Sequence, residues 1–140
     1  MGNCCMQPDA RRADTRAWFE KANEDLRCAQ IDLAAGPPAT EDALYHCQQA
    51  AEKGLKGFLV WHDQPFSKTH DLGKLGKQAC ALDPTLDPLV DDVVEFTKYA
   101  WIFRYPGDQD EPVVTDAAAV LNRVRTFVEA LLARLPERAD

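Results

Sequence analysis

Apolar residues recur every three or four positions along nearly the whole chain, and stretches that alternate apolar with polar are absent. That spacing lines them along one face of a helix, so the pattern predicts helices and no strands. The first segment runs from about Thr15 to Ala35, with Trp18, Ala22, Leu26, Ala29 and Leu33 on one face. Gly36-Pro37-Pro38 ends it, because proline donates no backbone bond and pushes its predecessor out of the helical region. The second begins at Thr40, a residue able to cap, with Glu41 and Asp42 at the positive helix end. It reaches about His62 and turns Leu44, Cys47, Ala51, Leu55 and Phe58 inward. Gly54 and Gly57 lie inside it and each cost about 1 kcal/mol relative to alanine. Two such residues imply that another helix, from this chain or a second subunit, approaches the backbone closely.

The loop Asp63-Gln64-Pro65-Phe66-Ser67-Lys68 leads to a short third segment, about Thr69 to Ala81, capped by Thr69 and burying Leu72, Leu75 and Ala79. A turn-rich joint from Asp83-Pro84 to Asp87-Pro88 precedes the fourth, roughly Pro88 to Phe103. Leu89, Val93, Phe96, Ala100 and Phe103 form its main stripe, while Val90, Val94, Trp101 and Ile102 lie off it. A helix apolar on several sides is buried more than usual or joins a subunit interface. Arg104-Tyr105-Pro106-Gly107-Asp108 breaks that helix, and the last segment, Asp116 to about Leu135, carries Val120, Val124, Phe127, Leu131 and Leu135 on one face. Five helices with short connectors predict an all-α antiparallel bundle. The expected division is one domain over 14–136, a disordered tail over 1–13 and a short tail over 137–140.

The 140 residues suit one compact domain. With 46% hydrophobic and 28% charged residues the chain is too apolar for a disordered polymer and too charged for a membrane bundle. The leader Met1-Gly2-Asn3-Cys4-Cys5-Met6 lacks the basic-then-apolar order of a secretory signal, and Met6 stands where a myristoylation site wants Ser or Thr. These features predict a cytoplasmic protein without a membrane partner. The five cysteines are odd in number, with no C-x-x-C pair, and His46, His62 and His70 stand at no metal-motif spacing. No metal and no cofactor are therefore expected. Cys47 and Cys80 read as small buried residues, and Cys4 and Cys5 as part of the leader.

The net charge of -7 argues against indiscriminate attraction of phosphate backbones. Its distribution is uneven. Lys53, Lys56, Lys68, Lys74 and Lys77 face only Asp63 and Asp71 in their stretch, whereas nine acids between Asp83 and Asp116 face Lys98 and Arg104. A polyanion site would lie in the first stretch. There is no G-x-S-x-G elbow, no phosphate loop and no G-x-G-x-x-G turn. Asp91 and Asp92 fall on a solvated face, and no Glu-x-x-His pair occurs.

Three clusters remain: Tyr45-His46-Cys47-Gln48-Gln49-Ala50-Ala51-Glu52-Lys53-Gly54-Leu55-Lys56, then Lys68-Thr69-His70-Asp71-Leu72, then Arg104-Tyr105-Pro106-Gly107-Asp108. In order and separation they resemble the H-C-Q-Q-A-A-E-K-x-L-K helix, the T-H-D-L helix start and the R-Y-P-D-like turn of the HEPN family (higher eukaryotes and prokaryotes nucleotide-binding), over roughly Thr15 to Leu135. The resemblance implies a helical bundle that pairs into a homodimer, often encoded beside a minimal nucleotidyltransferase in toxin–antitoxin or RNA-processing systems. Ribonuclease relatives use an R-x(4-6)-H signature, in which histidine moves a proton and arginine steadies the phosphorane.

Arg104 matches the arginine, but Gln109 holds the first histidine position, no histidine follows in the window, and Glu111 replaces the tyrosine that partner enzymes modify. Gln109 does not titrate, and Asp108, Asp110 and Glu111 repel phosphate. The leading expectation is thus an interaction module binding a nucleotide, RNA or a minimal nucleotidyltransferase, with Lys53, Lys56, Lys68, His70 and Arg104 as ligand contacts. The alternative is a metal-independent ribonuclease using Arg104 with His70 or His46. Each residue also has a plainer use: Arg104 as an anchor of the helix end or partner of an acid across a dimer, His70 as support for the third helix start, His46 in packing or a polar contact. Gln48, Gln49 and Glu52 are expected on a partly exposed face, and Lys53 and Lys56 in solvent.

Overall fold

The computed structural model describes residues 8–103, 105–107 and 112–136. Five α-helices follow in order, α1 (Pro8–Ala34), α2 (Thr40–Trp61), α3 (Leu72–Leu82), α4 (Asp87–Val93) and α5 (Val114–Ala133), and no strand occurs among the described residues. Helix α1 starts at Pro8, seven residues before the predicted start at Thr15. Residues 8–13, expected in a disordered tail, form its opening turns with Pro8 first and Asp9 at the positive end. They hold to the body through Arg11, whose guanidinium lies 5.1 Å from the centre of the Trp61 ring. The inward face carries Thr15, Phe19, Ala22, Asp25, Leu26 and Ala29. Phe19 replaces the expected Trp18 there, and Leu33 is only half-buried.

Helix α2 is the centre of the molecule. It packs on α1, α3, α5 and the segment after α4, and most of its residues are buried. Contacts of Trp61 with Arg11, of Gly57 with Trp18 and Phe19, and of Lys53 with Asp25 run in opposite chain directions, so α1 and α2 are antiparallel. Gly57 lies so near α1 that an added Cβ would stand 3.0 Å from Trp18 Cβ and 2.9 Å from the Phe19 ring. At Gly54 a Cβ would meet Leu131 of α5 at 3.2 Å. Both close approaches come from this chain, which removes the glycine argument for a second subunit. Thr40 does not cap α2: Ala39 takes the cap position, and the Thr40 hydroxyl is buried without a partner. The helix ends on Asp63 at φ 57°, with Asp63 N–H donating to Val60 O and Gln64 N–H to Leu59 O, both at 2.9 Å. This pairing closes the last carbonyls around a left-handed residue.

The cap of α3 is Asp71, not Thr69. Asp71 Oδ1 accepts from Gly73 N–H at 2.8 Å and Lys74 N–H at 3.4 Å, while Thr69 Oγ1 accepts from Asp71 N–H at 3.0 Å. The fourth segment departs most from the predicted single helix. A 3₁₀ turn (Pro84–Leu86) leads into α4, and a 3₁₀ segment (Val94–Ala100) follows it. Three residues per turn eclipse positions three apart, so Phe96 stacks on Tyr99 with ring centres 5.8 Å apart, and Tyr99 continues onto Phe103 at 5.9 Å. Val90 turns into the core although it lies off the predicted stripe; Leu89 is half-buried and Trp101 is 50% exposed. In α5 the predicted stripe is buried as expected, joined by Ala117, Leu121 and Val128. No helix among the described residues is long and apolar enough to cross a membrane.

Candidate functional site

The motif on α2 builds a polar core beneath the 63–71 loop. Gln48, Gln49, Glu52 and Lys56 recur at helical spacing on a face that the loop covers, and all four are buried. This corrects the expected exposed face and the expected solvated Lys56. Glu52, 4% exposed, is the hub. Its Oε1 accepts from His70 Nδ1 at 2.8 Å and Gln48 Nε2 at 3.2 Å, and its Oε2 from Lys56 Nζ at 2.8 Å. Gln48 Nε2 also reaches the His70 carbonyl at 3.0 Å, and Gln49 Nε2 donates to Gln48 Oε1 at 2.7 Å. Burial alone would push the Glu52 pKa up, but the Lys56 and His70 hydrogen bonds and the Lys56 charge outweigh it and hold the carboxyl below its usual value. Lys56 Nζ also sits 5.7 Å from the Trp18 ring centre and 5.6 Å from that of Phe66, a cation enclosed by one carboxylate and two aromatics.

A second network ties α1 to α2. Asp25, buried in the apolar stripe of α1, accepts from His46 Nδ1 and Lys53 Nζ, each at 2.7 Å. Lys53 is thus half-buried and paired, not solvated. His46 Nε2 lies 3.4 Å from Asp42 Oδ2, so both ring nitrogens of His46 face carboxylates. Asp25 escapes the periodicity reading, although a carboxylate among Ala22, Leu26 and Ala29 is itself the signal of a buried partner. Beside it, one ligand atom each of Asp32, Asp42 and His46 lies within 4.8 Å of the others.

The predicted ligand residues therefore separate. Lys53 and Lys56 are held by Asp25 and Glu52. His70 is tied at Nδ1, yet its side chain is 61% exposed and presents the opposite edge to solvent. Lys68, Lys74 and Lys77 are exposed and have no ion-pair partner among the described residues. An open groove of about 540 Å³ runs between the loop and α3, lined by Pro65, Phe66, Ser67, Lys74, Lys77 and Gln78. Gln78 Nε2 fixes the loop by donating to the Pro65 carbonyl at 2.9 Å. Sequence reading placed a polyanion site in the stretch that holds Lys68, Lys74 and Lys77, but of these three it named only Lys68 as a ligand contact. Arg104 and the window Asp108–Glu111, like Cys4 and Cys5, lie outside the described residues. Cys28, Cys47 and Cys80 are free thiols; burial pushes Cys47 up to about 12, which makes it a packing residue, whereas Cys80 is only half-buried.

No curated protein matches the chain, and no solved structure does. The family model of the HEPN domain matches residues 15–135. That span takes in the α2 network, the α3 cap and the basic groove. The chain belongs to the HEPN family.

Proposed function

We propose that the protein is a homodimeric interaction module that binds a nucleotide or RNA on its basic groove and serves a minimal nucleotidyltransferase partner, within a toxin–antitoxin pair, its ribonuclease signature degraded at Gln109. The observation that carries the ligand half is the division of charge. The cations of the family motif, Lys53 and Lys56, are spent on buried carboxylates, whereas Lys74 and Lys77 flank Phe66 around an open groove with Lys68 in the adjoining loop. Free ammonium groups beside an aromatic ring suit a phosphate and a base. His70 and Arg104 stand in the proposal as further contacts. Pairing is supported by membership in a family whose domains commonly pair, and its readout is the mass in solution. The ligand test is anisotropy of a labelled single-stranded RNA, competed with nucleotides, at two salt concentrations. Binding that weakens with salt is expected, and absence of binding at both removes the ligand half.

One observation favours a second reading, the metal-independent ribonuclease. Glu52 orients His70 through Nδ1 and leaves the other ring nitrogen facing solvent, as a proton-transfer group requires. His46 suits that role less, with Asp25 and Asp42 on its two nitrogens. On this reading purified protein cuts RNA in the presence of EDTA, and Arg104→Ala and His70→Gln each abolish the cutting. Cutting that persists in both variants comes from a contaminant.

A further inference from the structure

A second cavity, of about 350 Å³, opens between the first turns of α2 and the stacked rings of the 3₁₀ segment, lined by Glu41, Asp42, Tyr45, Tyr99 and Phe103. Its chemistry is the reverse of the lysine groove: three aromatic walls and two carboxylates. We propose that this cavity receives one arginine side chain from a protein partner. The inference stands apart from the anion-binding reading, because it uses other residues and the opposite ligand charge.

Three features on the page select that occupant. First, three of the five lining side chains, Tyr45, Tyr99 and Phe103, are aromatic, so a planar cation meets π-electron-rich walls. Guanidinium stacks on such walls and also forks onto carboxylate oxygens, whereas an ammonium ion does neither as well. Secondly, the carboxylates need positive charge. Among the described residues Glu41 has no ion-pair partner, and Asp42 meets only the His46 imidazole, at 3.4 Å, with no lysine or arginine on either. Behind Asp42 stands the half-buried Asp32. Burial, together with the hydrogen bond and charge of Asp42, pushes the Asp32 pKa up to about 6, as expected where two carboxyls crowd each other. A nucleotide, which brings its own negative charge, is disfavoured here. Thirdly, the surroundings suit a protein. Trp101, 50% exposed, and Tyr105, 77% exposed, stand two residues before and after Phe103 in the chain, and exposed aromatics of this kind are enriched at protein interfaces.

The test is a titration of the isotope-labelled protein with N-acetyl-argininamide in EDTA, read from its amide resonances. The expected result is saturable shifts at Glu41, Asp42 and Tyr45, with weaker binding of N-acetyl-lysinamide and none of the neutral N-acetyl-citrullinamide. The double variant Glu41→Gln, Asp42→Asn, both positions being exposed, should weaken the arginine compound at least about fivefold while its spectrum stays folded. Equal shifts with the citrulline compound, no saturable shift at all, or the same affinity in the double variant would each overturn the proposal. So would adenosine monophosphate shifting these residues in place of the arginine compound. The lysine groove is read by RNA titration of the same sample, so either reading can fail without the other.

Discussion

Glu52 is a carboxylate taken out of water, and its stability depends on the donors gathered round it. Lys56, in turn, is an ammonium group that Glu52 neutralises, with the two side chains 5% and 10% exposed. Neutralising one member strands the other, and breaking such a buried pair costs about 3–5 kcal/mol. Glu52→Gln should therefore lower the unfolding free energy in urea by about that amount, and Glu52→Gln with Lys56→Met should recover part of the loss. Asp32 carries the opposite pH signature. Its folded pKa of about 6 lies above its ordinary value of 3.8, so the folded state holds the extra proton between them. Its contribution is fully present below the lower value and is lost as pH rises through about 6. Asp32→Asn should raise the melting temperature at pH 7.5 relative to the parent and leave it little changed at pH 4. Glu52, held low, contributes above the usual carboxylate range and loses that contribution as pH falls through its folded pKa. These residues also mark where sequence reading is blind: Gln48, Gln49, Glu52 and Lys56 count as polar and are assigned to the surface. Only their pairing, which spans the 63–71 loop, reveals that they are core.

At the scale of the element, periodicity serves where the backbone is regular. The α5 stripe is fully legible because an uninterrupted α-helix keeps its 3.6-residue repeat. In the fourth segment Val93, Phe96 and Ala100 of the predicted stripe are buried, but Val90, drawn off it, is buried as well, and Leu89, drawn on it, is only half-buried. Capping misses have a similar local origin: Asp71 outcompetes Thr69 because its carboxylate accepts two amides of the first turn. Two substitutions in α2 and its end should move stability in opposite directions. Gly57→Ala forces a methyl group against Trp18 and Phe19 and should cost about 1–3 kcal/mol. Asp63→Gly relieves a non-glycine residue at φ 57° and should gain about 0.5–1 kcal/mol. Both are read as shifts in the urea midpoint at constant slope.

For the whole molecule, the decisive feature is where unspent charge remains. A chain of net charge -7 binds a polyanion only where its cations are locally free. Among the described residues Lys68, Lys74 and Lys77 are free cations that gather around the groove beside Phe66, while the motif lysines that carry the family likeness hold the bundle together. The five-helix class and its family were legible because motif order and apolar spacing survive in one dimension. The separation of the lysines into structural and free sets was not, since it depends on which acids α1 and α2 bring within 3 Å. The most direct test is the salt dependence of single-stranded RNA affinity for the parent, for Lys74→Ala with Lys77→Ala, and for Lys68→Ala. Loss of two phosphate contacts should weaken binding and reduce the log–log salt slope by about 1.4 in the double variant, and by about 0.7 in the single one. An unchanged affinity and slope in both would contradict the account.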